Sequence, residues 1–195
     1  MPTDDSTLAA PEAYGPEIAG VLVSRAQIAS RVCQLARGIT EAYDGSEVTI
    51  LGTLTGSLVF LSDLIRLLPL RVRLDLVRVR SYPDTATTPR EPELLLAPAS
   101  DLKGKHVLIV DDILDTGRTL EFLRAHASSS GAASVRTCVL LVKRRDDLPS
   151  RPATDFVGFD IDDHFVVGYG LDYGDLYRNL PDICLLARFA GGSGR

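Results

Sequence analysis

Val107-Leu108-Ile109-Val110-Asp111-Asp112-Ile113-Leu114-Asp115-Thr116-Gly117-Arg118-Thr119-Leu120 decides how this chain is read. Four apolar residues, three of them β-branched, predict a buried strand that ends at two carboxylates. A small polar turn follows, and the apolar-periodic segment after it predicts a helix from Arg118 to about Ser128, closed by Ser129-Ser130-Gly131. A strand, a loop and a helix N-terminus make an anion site in an open α/β sheet, because loop amides and the positive helix end face the same space. Thr116-Gly117-Arg118-Thr119 adds hydroxyl donors, a cation and a glycine free to take unusual backbone angles.

Three carboxylates beside a phosphate cradle oppose each other if phosphate is the whole ligand. They are useful if the ligand also brings hydroxyls, a divalent metal or developing positive charge. A ribose 5-phosphate whose anomeric carbon becomes an oxocarbenium ion has all of these. The stretch resembles the phosphoribosyl-pyrophosphate motif of the type I phosphoribosyltransferases: an apolar strand, two acids, two apolar residues, then Asp, Thr, Gly, any residue, Thr. A strand-to-turn junction with solvated acids is the simpler alternative. A phospho-acceptor module built on Asp111-Asp112 would leave the threonine-glycine cradle unexplained.

Outward from this motif, the chain alternates strands and helices, which predicts a parallel-centred sheet. Ile18 to Val23 is a short strand or lead-in. Ser24 is the expected N-cap of a helix with Ile28, Val32, Leu35 and Ile39 at helical spacing, ending near Asp44-Gly45. Val48 to Leu51 is a strand, followed by a glycine-bounded turn and a helical run from Leu58 to Leu68. Val72–Val79, Glu93–Ala97, Val135–Val142 and Ile183–Leu186 read as further strands, and Phe156–Gly158 and Phe165–Gly168 as short apolar pieces. The expected fold is the type I phosphoribosyltransferase α/β fold, a twisted sheet flanked by helices with a small hood and a mobile flap. Residues 1–17 read as a frayed arm, 18–190 as one domain with a core at about 45–150 and a hood from 18–24 and 151–190, and 191–195 as a flexible tail.

The C-terminal third carries the most specific resemblance. Leu140-Leu141-Val142-Lys143-Arg144, Asp155-Phe156-Val157-Gly158-Phe159 and Phe165-Val166-Val167-Gly168-Tyr169-Gly170-Leu171-Asp172-Tyr173, with Arg178 beyond, are similar to the hypoxanthine-guanine phosphoribosyltransferases. The likeness runs from about Val21 to Leu186. It implies transfer of 5-phosphoribosyl from phosphoribosyl pyrophosphate to N9 of hypoxanthine or guanine. It implies that Asp111 and Asp112 meet the ribose hydroxyls, and that Asp115 to Thr119 hold the 5′-phosphate with Asp115 as acid/base group at purine N7. Lys143 would donate to the 6-oxo group, Phe165 would stack on the base, and Val166 would contact its edge. Asp172 would lie near magnesium and Arg178 would reach the pyrophosphate. As single residues, Lys143 reads equally as a solvated strand-end cation and Phe165 as core.

Leu54-Thr55-Gly56 resembles the family's pyrophosphate loop, where a non-proline cis peptide is usual; read alone, it is also an ordinary helix start with Ser57 as cap. Thr55 stands where many relatives carry a basic residue. Ser81-Tyr82 matches the dipeptide that opens the flap, here followed by Pro83, Pro89 and Pro92. Mg2+ is the implied metal, held by Asp111, Asp112 and Asp172.

Composition sets limits. The 195 residues, 45% hydrophobic and 24% charged, suit a globular domain, and no apolar run is long enough for a bilayer. The N-terminus lacks a secretory pattern, so a cytoplasmic location is expected. A net charge of −5 argues against nucleic-acid binding. Cys33, Cys138 and Cys184 lack metal or disulfide spacing and read as small buried hydrophobes. A homodimer or homotetramer is implied by the resemblance. The competing functions are a xanthine-preferring enzyme of the same class and a nucleotide-sensing regulator on the same fold, which should carry a basic face.

Overall fold

Ser24 starts the first helix through a capping box: its hydroxyl accepts from the Gln27 amide while the Gln27 side chain accepts from the Ser24 amide. In this computed structural model residues 14–80, 92–145 and 152–187 are described. The element order is β1 (Ile18–Val23), α1 (Arg25–Tyr43), β2 (Val48–Thr53), α2 (Leu58–Ile65), β3 (Val72–Arg80), β4 (Glu93–Leu96), β5 (His106–Leu114), α3 (Arg118–Ser129), β6 (Ser134–Arg144), β7 (Phe156–Asp162), β8 (Val166–Val167) and β9 (Ile183–Leu186). Helix α1 buries Ile28, Val32, Leu35 and Ile39, the stripe its spacing predicts, and stops at Asp44 in the left-handed region.

Six strands form the main sheet in the order β4-β3-β2-β5-β6-β7, parallel except where β4 folds back on β3. Helices α1 and α2 cover one face, with Ile28, Ile39, Phe60 and Leu64 packed on Ile50 and Leu108. Helix α3 covers the other, with Leu120 and Leu123 against Leu51 and Ile109. The chain leaves β2 through α2 toward β3, and leaves β5 through α3 toward β6. Adjacent strands β2 and β5 thus send their connections in opposite directions, which makes the crevice beyond their carboxyl ends the ligand-binding switch point of an open α/β sheet.

Register shows how that crevice opens. The β2–β5 ladder stops at Gly52↔Val110, whereas β5–β6 continues to Leu114↔Val142. Strand β5 therefore does not end at its carboxylates, as its apolar run predicted. It passes through Asp111 and Asp112 because β6 still supplies backbone partners on one side while β2 has turned away.

A second, antiparallel sheet, β1-β9-β8, sits on its own cluster of Val167, Leu180, Cys184 and Leu186. Asp182 ties it to the main body. Its carboxylate accepts from the Arg25 backbone amide at 2.7 Å and from the Arg25 guanidinium at 2.7 and 3.1 Å. Two further expectations are corrected. Residues 14–17 are not frayed: Tyr14 packs on the small cluster, and the Glu17 carbonyl accepts from the Ala187 amide at 2.6 Å. Strand β7, expected in the hood, pairs with β6 in the main sheet, because its apolar alternation runs on to Asp162. Among the described residues no helix is long and apolar enough to cross a membrane. Cys138 and Cys184 are buried as expected, and Cys33 is half-buried.

Candidate active site

The two acids lie within β5 and are shielded from solvent, Asp111 being buried and Asp112 half-buried. Oδ1 of Asp111 accepts from the Thr53 hydroxyl and, at 3.1 Å, from the Asp112 amide. Burial pushes the Asp111 carboxyl above the usual range. Asp112 is pushed well above it, by burial first and by the adjacent Asp111 charge second. Two such groups resist carrying two negative charges together, so a cation or a pair of ribose hydroxyl donors would relieve them.

Past Leu114, Asp115, Thr116, Gly117 and Thr119 surround a cavity of ≈ 220 Å³ floored by Ile113 and Leu114. That is room for a phosphate group and water, each water claiming about 30 Å³. Gly117 precedes α3 at φ 84°, offers no side-chain cap, and has Pro152 packed where a Cβ would stand. Arg118 and Thr119 thus lie in the first helical turn, not in the loop, and the helix presents its amide end to the cavity.

The Leu54–Gly56 turn closes the other side. The Leu54–Thr55 peptide is cis, as the resemblance implies. Ser57 does not act as the side-chain cap; it is buried and donates to the Thr53 carbonyl at 2.5 Å. Gly56 sits directly beneath the Asp112 carboxylate, and Gly170 rests on the Gly56 carbonyl, so neither position has room for a Cβ. Three sequence-distant stretches therefore meet at Gly56. Tyr169 reinforces this, donating from its hydroxyl to Asp63 of α2 at 2.7 Å.

Lys143 is the last residue but one of β6 and pairs with Asp163 at 3.0 Å; its side chain is mostly covered. It is therefore not a solvated strand-end cation. Phe165 is half-buried at the edge of the small cluster, with Tyr173 edge-on at 5.5 Å, and is not part of the main core. Val166 is buried in β8. Arg178 donates to the Gly170 carbonyl at 2.9 Å and pairs with Asp172 at 2.7 Å, so the loop that touches Gly56 is fastened by the residue read as a pyrophosphate contact. Asp172 does not join Asp111 and Asp112: among the described residues no group of three or more metal-ligating side chains converges. Ser81 and Tyr82 lie outside the described residues, as do Pro83 and Pro89.

Sequence reasoning did not single out Thr53, Asp163, Gly170 or Arg145, the last of which pairs with Asp115 at 2.8 Å. The cationic run at 143–145 was visible, but which acid each member meets depends on strand register.

Residues 22–174 match the family defined by the phosphoribosyl transferase domain. The chain is 41% identical over 167 residues to the hypoxanthine phosphoribosyltransferase of Salmonella typhimurium, covering 83% of this chain and 91% of that one. It is 35% identical over 173 residues to the hypoxanthine-guanine phosphoribosyltransferase of Bacillus subtilis, covering 87% and 94%. A crystal structure of a hypoxanthine-guanine phosphoribosyltransferase from Bacillus anthracis superposes with a TM-score of 0.82 at 36% identity, covering 87% of this chain and 99% of that one. A crevice of carboxylates, amides and a phosphate-sized cavity at a parallel-sheet switch point belongs to an enzyme that handles a sugar phosphate. The chain is a member of the phosphoribosyltransferase family, on the branch that holds the hypoxanthine and hypoxanthine-guanine enzymes.

Proposed function

We propose that the protein transfers the 5-phosphoribosyl group of phosphoribosyl pyrophosphate to N9 of hypoxanthine or guanine, giving the nucleoside monophosphate and pyrophosphate, a purine-salvage reaction. The observation that supports this is the meeting at Gly56 of the Asp112 carboxylate and Gly170, which brings together the three stretches read as ribose, pyrophosphate and base sites.

Asp115 to Thr119 bind the 5′-phosphate through amides, hydroxyls and the helix dipole. Asp111 and Asp112 accept from the ribose 2′- and 3′-hydroxyls. As N9 bonds to the anomeric carbon and the bond to pyrophosphate breaks, Asp115 takes the proton from purine N7. The Leu54–Gly56 amides and Arg178 hold the departing pyrophosphate. Phe165 stacks on the base and Lys143 donates to the 6-oxo group, which rejects adenine. Val166 meets the base edge through its backbone, and Ser81-Tyr82 open the flap that keeps water from the oxocarbenium-like centre.

The carboxylate and hydroxyl oxygens at Asp111, Asp112 and Thr53 are hard donors that suit Mg2+. Asp111 and Asp112 would hold it together with substrate oxygens, without Asp172, which is paired with Arg178, and it would draw charge from the pyrophosphate. Assembly as a homodimer or homotetramer and a cytoplasmic location complete the proposal, the first supported by exposed Leu74, Leu95 and Leu96 near the β3–β4 edge.

An assay with donor, magnesium and hypoxanthine, guanine, xanthine or adenine tests the reading. Nucleotide should form with hypoxanthine or guanine. Turnover confined to xanthine would favour the alternative acceptor, and none with any oxopurine would favour a sensing role.

A further inference from the structure

Lys143, Arg144 and Arg145 are consecutive cations, and each pairs with a different acid. Lys143 meets Asp163 at 3.0 Å, Arg144 meets Asp162 at 3.6 Å, and Arg145 donates from Nη1 to Asp115 Oδ1 at 2.8 Å. The middle pair is open to water on both sides, with side chains 65% and 69% exposed, and such pairs contribute little. Arg145 differs, being only 24% exposed although it lies just past the end of a strand. Register explains its reach. Leu114 pairs with Val142 at the end of the β5–β6 ladder, so Asp115 and Arg145 leave neighbouring strand ends one and three residues further on.

We propose that Arg145 is a positioning residue for Asp115, holding Oδ1 so that Oδ2 is presented to purine N7. This rests on the reading of Asp115 as the proton acceptor. Asp115 follows the last residue of β5, and its side chain is 44% exposed. A carboxylate there has two free side-chain torsions and two equivalent oxygens. Proton transfer needs one oxygen at hydrogen-bond distance from N7 as the N9–carbon bond forms, the proton passes to Asp115 and pyrophosphate leaves. A guanidinium fastened to the other oxygen removes the wrong orientations without occupying the reacting one. The bond uses a single Nη1, so a lysine ammonium can replace part of it.

The test compares wild type, R145A, R145K, D115N and D115N/R145A, with folding checked by thermal melts. R145A should lose about ten- to a hundredfold in kcat, the scale of a catalytic group misplaced by ~1 Å, with KM for phosphoribosyl pyrophosphate almost unchanged. R145K should recover most of the loss, as should free guanidinium ion added to R145A. In the D115N background R145A should cost nothing further. An active wild type with kcat unchanged in R145A, a loss seen only as raised donor KM, or a loss that persists beside D115N overturns the inference while leaving the functional reading intact. A wild type that transfers no phosphoribosyl group overturns both.

Discussion

The Asp112 carboxylate lies against the α-carbon of Gly56, so a methyl group there would collide with both Oδ2 and Cγ of Asp112. Gly56→Ala should therefore push apart Asp112 and the Leu54–Gly56 turn, the proposed ribose and pyrophosphate sides of the crevice. The overpacking cost is about 1–3 kcal/mol, and kcat/KM should fall at least about tenfold. Gly52→Ala is the control. Its added methyl meets the tip of Leu61, which can rotate away, so activity should fall much less. Melting curves and steady-state kinetics on both variants decide the matter.

The raised Asp111 and Asp112 carboxyls fix the sign of a pH effect. Both bind protons more tightly folded than unfolded, so they stabilise the fold fully below the ordinary carboxylate value of about 4. That contribution is lost as pH rises through the raised folded values. Asp112→Asn removes the charge at any pH. It should raise the melting temperature at pH 7, by about 2–4 °C per kcal/mol gained, and change it little near pH 4. Donor affinity should drop, an exchange of stability against function.

Asp182 behaves in the opposite sense. Burial alone would raise its carboxyl, but the bonds from Arg25 outweigh burial and hold it below the usual range. Its stabilisation is present above the unfolded value and is lost as pH falls through the lowered folded one. Asp182→Ala leaves the Arg25 guanidinium and the first amide of α1 without this partner. A loss of about 3–5 kcal/mol is expected, read as a lower urea midpoint at pH 7 and a smaller difference at pH 3.

Lys143→Ala should lower kcat/KM for hypoxanthine and guanine by about ten- to a hundredfold, the scale of a lost charge-assisted hydrogen bond. The donor KM should change little. A matched loss for all purines, adenine included, would mean that the Lys143–Asp163 pair only braces β6 against the segment before Phe165.

Much of this arrangement is legible in the sequence, for physical reasons. The α1 stripe, the Val48 and Val107 strands and the Arg118 helix announce themselves because apolar periodicity and caps are local. The motif residues were found because phosphate cradles need glycine and hydroxyls at fixed spacing. What was not legible depends on pairing. Strand β5 runs past Asp111 because of β6, and β7 joins the main sheet because β6 offers an edge. Tyr14 is fixed by a cluster whose fully buried members lie at Val167 and beyond. Gly170 and Arg145 matter through what they touch across the fold. Neither contact leaves a pattern in the nearby sequence.

In the proposed reaction the central step is passage of the purine N7 proton to Asp115. The direct measurement is single-turnover phosphoribosyl transfer to hypoxanthine by wild type and D115N, with phosphoribosyl pyrophosphate binding measured separately. D115N should bind the donor within a few-fold of wild type but form nucleotide at least about a hundredfold more slowly. A D115N enzyme that turns over nearly as fast as wild type would contradict that role for Asp115.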